Sequence, residues 1–125
     1  MERCATVSNP VVLVVEDEPL VRFVLTETLL DDGYQVLEAG NAGEALDQLR
    51  SRTDISAVIT DVRMPGEMDG IGLARAIATE WPRIRILVVS GYFNQIESPL
   101  PPTAAFLRKP YPYSALRSQL TRSGA

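Results

Sequence analysis

The chain has 125 residues, the size of one ordinary domain, and is 46% hydrophobic and 22% charged, a globular composition that excludes wholesale disorder. Its net charge of −4 excludes a basic face for phosphate backbones, so no direct nucleic-acid binding is expected. A single cysteine, Cys4, and the lack of any histidine exclude an internal disulfide, Ser–His or Cys–His catalysis, and a phosphohistidine on this chain. No apolar run nears the roughly 18 residues of a membrane span, and residues 1–10 lack the apolar stretch of a signal peptide. A cytoplasmic protein with no membrane partner is expected.

Two periodicities alternate along the chain. Val11–Val15 is a continuous β-branched run, as in a strand buried on both faces. Pro19 suits the first turn of a helix in which Val21, Val24, Leu25 and Leu29 recur at helical spacing until Gly33. Residues 34–39 read as a short strand. Ala42, Ala45, Leu46 and Leu49 share one helical face, with Asn41 as the cap. Residues 56–60 form a third strand ending at Asp61, and a loop follows over residues 62–70. Leu73, Ala74, Ile77, Ala78 and Trp81 make a third helical stripe, ended before Pro82. Residues 84–89 are a fourth buried strand. Pro99, Pro101 and Pro102 then forbid a long helix, so a short or irregular one is expected over residues 92–105. Residues 104–107 give a fifth strand, and Tyr113, Leu116 and Leu120 a last helix, with a frayed tail after Arg122. Strands interleaved with helices predict an α/β, flavodoxin-like, doubly wound five-stranded parallel sheet of order 2-1-3-4-5. Residues 1–125 are expected to be a single domain with its core over about 10–122.

In such a sheet, ligands bind beyond the carboxyl ends of the strands. There stand Glu16-Asp17 after the first strand, Asp61 after the third, Ser90-Gly91 after the fourth and Lys109-Pro110 after the fifth. Singly, each has a plainer reading: acids at a helix N-terminus, a solvated loop aspartate, a turn pair, a surface lysine. Jointly they predict one cleft holding carboxylates, a hydroxyl and an ammonium. Clustered carboxylates repel and stay ionised only if a cation neutralises them, and a hard divalent ion such as Mg²⁺ couples carboxylates to phosphate. The cleft therefore suits a phosphoryl group carried on a carboxylate, with Asp61 the natural acceptor.

The motifs Val14-Val15-Glu16-Asp17-Glu18-Pro19, Thr60-Asp61-Val62-Arg63-Met64-Pro65 with Met68-Asp69-Gly70, Val88-Val89-Ser90-Gly91 and Phe106-Leu107-Arg108-Lys109-Pro110 resemble, in this order, the response-regulator receiver domains of two-component phosphorelays. The resemblance covers residues 10–122. It implies Asp61 as phosphoacceptor and an Mg²⁺ cofactor held by Asp17, Asp61 and the Arg63 backbone carbonyl, with Glu16 acting largely through water. It implies Ser90 as the switch hydroxyl, Lys109 as the lysine that pairs with the phosphoryl group through a cis Lys-Pro bond, and Phe106 as the switch aromatic. The donor would be a histidine kinase or histidine phosphotransfer protein, and output would pass to an unknown downstream protein by contact, as in a stand-alone receiver rather than a conventional enzyme.

Three features depart from the family pattern. Gly66-Glu67 stands where one residue is usual, Ser90 is followed by Gly91-Tyr92, and the stretch from Ser90 to Lys109 is short and proline-rich. Two rival classes fit the residues less well. A small aspartyl-phosphate hydrolase resembles Asp-x-Asp at the nucleophile strand, where this chain has Arg63 in second place. A phosphorylation-independent interaction module would leave the full residue set without a purpose. A flavin-binding protein of the same fold would need a Ser/Thr/Gly-rich phosphate loop after the first strand, which is missing.

Overall fold

A computed structural model describes residues 10–91 and 100–122. Their elements are β1 (Val11–Val15), α1 (Pro19–Asp31), β2 (Gln35–Ala39), α2 (Ala42–Ser51), β3 (Ile55–Asp61), α3 (Gly70–Glu80), β4 (Arg85–Ser90), β5 (Ala104–Arg108) and α4 (Tyr113–Arg122). The strands form one five-stranded sheet in the order β2-β1-β3-β4-β5, with every pairing parallel. This is the doubly wound, flavodoxin-like arrangement that the alternation of patterns predicts. Parallel strands joined through helices must be covered on both faces, which is why β1 is apolar throughout and β3 and β4 are apolar through their middles.

Side-chain alternation splits the core in two. Leu13, Val58, Ile86 and Val88 pack under α2 and α3, where Ala45, Leu49, Leu73, Ala74 and Ile77 meet them. Val12, Val14, Ile59, Leu87 and Val89 face the other way, against Leu29 of α1 and Leu116 and Leu120 of α4. The end of α1 is tied to α4 by Asp32, whose Oδ2 accepts from Tyr113 Oη at 2.8 Å and pairs with Arg117 Nε at 3.0 Å.

Two expectations need correction. The α1 stripe is only half inward: Leu29 is buried and Leu25 partly so, but Val21 and Val24 are exposed, because the first turns border an open groove rather than the sheet. Strand β3 begins one residue early, at Ile55, because that side chain is buried and pairs with Val11, while Ser56 is left as a bulge. The expected irregular helix over residues 92–105 falls largely outside the described residues. Its described end, residues 100–103, is a turn in which the Ala104 amide donates to Pro101 O at 3.0 Å. Among the described residues, no helix is long and apolar enough to cross a membrane.

Candidate functional site

The register carries three strand ends to one edge of the sheet. Val15 pairs with Thr60, Asp61 with Val89, and Ser90 with Arg108, so the residues following β1, β4 and β5 all surround the end of β3. Lys109 is fixed there by its own backbone, its amide donating to Ser90 O at 2.8 Å, and the Lys109–Pro110 bond is cis. Its Nζ reaches Asp61 Oδ2 at 3.1 Å and Glu16 Oε1 at 3.6 Å. The remaining oxygens are also held: Asp61 Oδ1 accepts from the Val62 amide at 2.7 Å, and Glu16 Oε2 from the Glu18 amide at 3.2 Å.

One ammonium thus serves two carboxylates. The Glu16 side chain is only 7% exposed and that of Asp61 15%, against 31% for Lys109. Burial pushes the Glu16 carboxyl up from its ordinary 4.5 to about 7; the Glu18 amide pulls it back, and the neighbouring charge of Asp61 raises it further. For Lys109, burial alone would lower the pKa, but the hydrogen bond to Asp61 and the charges of Asp61 and Glu16 outweigh it, and the ammonium is held more firmly than usual. The donor set is all oxygen and carries more negative than positive charge, which suits a hard divalent cation. Among the described residues, no three Asp, Glu, His or Cys side chains are grouped as a metal cage. Mg²⁺ is a hard ion of this kind and characteristically keeps several waters while bound through few protein oxygens.

Asp17 lies exposed at the turn into α1, and Arg63 is exposed in the loop after β3. Ser90 is fully buried at the end of β4. Phe106 sits two strand positions inward, opposite Val88, partly buried against the core. The lengthened loop between β3 and α3 is accommodated by Gly66, whose φ of +105° is open to glycine at little strain. The loop is anchored where Gly70 tucks onto β3: its amide donates to Val62 O at 2.8 Å, and a Cβ there would stand 1.8 Å from Asp61 O.

Residues 12–120 match the response regulator receiver domain family. The chain belongs to that family. As a receiver domain of the two-component response regulators, it is 36% identical over 114 residues to the response regulator protein FleR of Pseudomonas aeruginosa, a match covering 89% of this chain and 24% of that protein. It is 41% identical over 107 residues to the sensor kinase CckA of Brucella abortus, covering 82% of this chain and 11% of the kinase. The receiver therefore spans about a quarter or less of the length of these relatives. Among solved structures it resembles the response regulator TrrA of Thermotoga maritima, determined in complex with Mg²⁺–BeF, with a TM-score of 0.83 and 28% identity over 91% of this chain and 98% of that one.

Three roles around this receiver's site were not legible in the motifs: the cap at Asp69, the groove wall at Tyr111 and the brace at Arg22. Asp69 caps α3, its Oδ1 accepting from the Gly72 amide at 2.9 Å; an Asp just ahead of a helical stripe was the available signal. Tyr111 and Arg22 gave none. Tyr111 lines a groove of about 550 Å³ with Leu20, Val24 and Tyr113, and the groove shares Glu16 and Lys109 with the site. Arg22 Nη1 donates to Glu16 O at 2.7 Å while its Nε pairs with Glu38 Oε1 at 3.0 Å.

Proposed function

We propose that this receiver is an Mg²⁺-dependent phosphoacceptor that takes a phosphoryl group on Asp61 from a partner's phosphohistidine. The observation that carries the reading is the Asp61–Lys109 contact at 3.1 Å beside the buried Glu16, at the carboxyl end of the central strand. Asp61 has both oxygens oriented, one by the Val62 amide and one by Lys109, so the nucleophile is pre-positioned and most of the catalytic benefit is geometric. Glu16, Asp17, Asp61 and the Arg63 carbonyl would hold the cation, with Glu16 acting largely through water. When bound, Mg²⁺ supplies charge neutralisation for the carboxylates and the phosphoryl oxygens.

Lys109 is the one ammonium shared between the two carboxylates, and it pairs with a phosphoryl oxygen when Asp61 carries the acyl phosphate. Ser90 gives its hydroxyl to another phosphoryl oxygen, and Phe106, two positions inward on the adjacent strand, adjusts with it. Chemically, an Asp61 oxygen forms a bond to phosphorus as the bond from phosphorus to the donor's imidazole nitrogen breaks, and the imidazole leaves with the electron pair.

The chain holds no histidine, so the phosphoryl donor lies outside these 125 residues, and the reading assigns it to a histidine kinase or a histidine phosphotransfer protein. Exposed Leu20 (74%) and Phe23 (58%) on α1, with the groove that shares Glu16 and Lys109, supply an apolar seat for that donor beside the acceptor. Output then passes by protein contact, and the acidic chain takes no direct part in nucleic-acid binding. Incubation with Mg²⁺ and acetyl phosphate should add one phosphoryl group, located on Asp61 by mass spectrometry and lost in Asp61→Asn. An unmodified, correctly folded wild type would refute the phosphoacceptor reading in favour of a phosphorylation-independent interaction module.

A further inference from the structure

Arg22 joins three parts of the fold, α1, the turn after β1 and strand β2, and the phosphoacceptor chemistry gives its own side chain no role. It rises from the second turn of α1, its backbone amide donating to Glu18 O at 3.0 Å. Its guanidinium reaches back to Glu16 O at 2.7 Å and sideways to Glu38 at 3.0 Å on β2. Gly40 lies alongside it, where even an added Cβ would stand in ordinary contact, 3.5 Å from Nη1.

The carbonyl that Arg22 holds belongs to the peptide joining Glu16 to Asp17. Other contacts in this turn fix Glu16 itself: its amide donates to Ala39 O at 3.0 Å, Oε2 accepts from Glu18, and Oε1 faces Lys109. Turning the next peptide plane would spare the Ala39 and Lys109 contacts while shifting Asp17, whose far side is tied back by the 3.2 Å bond from the Glu18 amide. A short, charge-assisted bond from a planar fork is well suited to stopping that rotation.

Resting on the Mg²⁺ reading above, we propose that Arg22 is a positioning residue for the cation site, locking the Glu16–Asp17 peptide so that Asp17 is presented to the metal. Two effects of opposite sign make this testable. A guanidinium near a divalent ion repels it, so if charge dominated, removing Arg22 would tighten Mg²⁺ binding. Removing Arg22 also leaves the Glu38 carboxylate unpaired, which would draw a cation in further, so weaker binding in its absence reports lost geometry and not charge.

The experiment titrates Mg²⁺ alone into the whole protein by calorimetry, with Mn²⁺ by electron paramagnetic resonance as a second readout, for wild type, Arg22→Ala and Arg22→Lys. Arg22→Ala should bind roughly tenfold more weakly, as losses of groups that orient metal ligands do. Arg22→Lys should recover no more than part of this, because it keeps the charge and loses the fork. With acetyl phosphate, the half-saturating Mg²⁺ concentration should rise in parallel while the rate at saturating Mg²⁺ stays within about twofold of wild type. Unchanged or tighter Mg²⁺ binding in Arg22→Ala, or full wild-type affinity in Arg22→Lys, overturns the proposal. Should Arg22→Ala fail to fold, Arg22→Lys carries the test alone: it keeps the charge and loses the fork, so weaker binding reads geometry, and full wild-type affinity overturns the proposal. A wild type that neither binds Mg²⁺ nor accepts a phosphoryl group refutes the phosphoacceptor reading itself; one that does both, matched by Arg22→Ala, refutes only the role of Arg22.

Discussion

Glu16 is buried beside a second carboxylate, and the one ammonium within reach leans closer to Asp61. Its carboxyl, raised from 4.5 to about 7, binds a proton more readily in the folded than in the unfolded chain. By linkage, stability falls as pH rises from about 4.5 to about 7, and the penalty is fully present above that window. In metal-free protein, Glu16→Gln should therefore be more stable than wild type at pH 8, by on the order of 1–3 kcal/mol, and this advantage should vanish near pH 4.5. Urea unfolding in chelator at the two pH values measures it; an equal difference at both would mean that the charge of Glu16 is not the cause. At this scale, Glu16, Asp61 and Lys109 were legible because each stands at the end of its own apolar run, where a parallel sheet gathers such residues. Arg22 was not. Its partners are a backbone carbonyl six positions back and a carboxylate on another strand, and neither leaves a spacing in the sequence.

The loop from β3 to α3 contains two glycines that the chain needs for different reasons. At Gly66 nothing lies within 4 Å of an added Cβ, and the demand comes only from φ of +105°. At Gly70 the backbone of Asp61 occupies the space: a Cβ would lie 1.8 Å from its carbonyl oxygen and 2.9 Å from Val62 Cα. Gly66→Ala should thus cost about 1–2 kcal/mol of local backbone strain and leave Asp61 undisturbed. Gly70→Ala should cost several kcal/mol, because α3 must back away from β3, and should slow phosphorylation of Asp61 by displacing it. Chemical denaturation and the acetyl phosphate reaction separate the two; equal losses of stability with equal activity would contradict the packing. Elements whose period is carried by side chains were readable in advance, notably β1, β3, β4 and the Ala42, Ala45, Leu49 face of α2. The start of α3 was not. Gly70 is a poor helix former, and it opens the helix only because tertiary packing leaves no room for anything larger.

For the molecule as a whole, the order 2-1-3-4-5 followed from alternating patterns and the few topologies that crossover connections permit. What periodicity could not show is which part of a helix the sheet covers. Val21 and Val24 share the spacing of Leu25 and Leu29, yet lie out in the open beside Leu20 and Phe23, because α1 reaches past the sheet to the acceptor edge. An apolar surface of this kind, bordering the groove that contains Glu16 and Lys109, serves association more readily than folding. Folding and chemistry should then be separable from recognition. Phe23→Asp removes an exposed ring that contributes nothing to the buried core, so stability should change by less than about 0.5 kcal/mol. Phosphorylation by acetyl phosphate, a donor too small to touch α1, should be unaffected. Transfer from a phosphorylated histidine kinase, chosen by screening a panel against the wild type, should fall at least about tenfold, the loss expected when a buried aromatic anchor is replaced by a charge. Equal slowing with both donors would place the effect of Phe23 in the acceptor site; equal rates with both would remove α1 from the donor's footprint and send the search to the opposite side of the cleft.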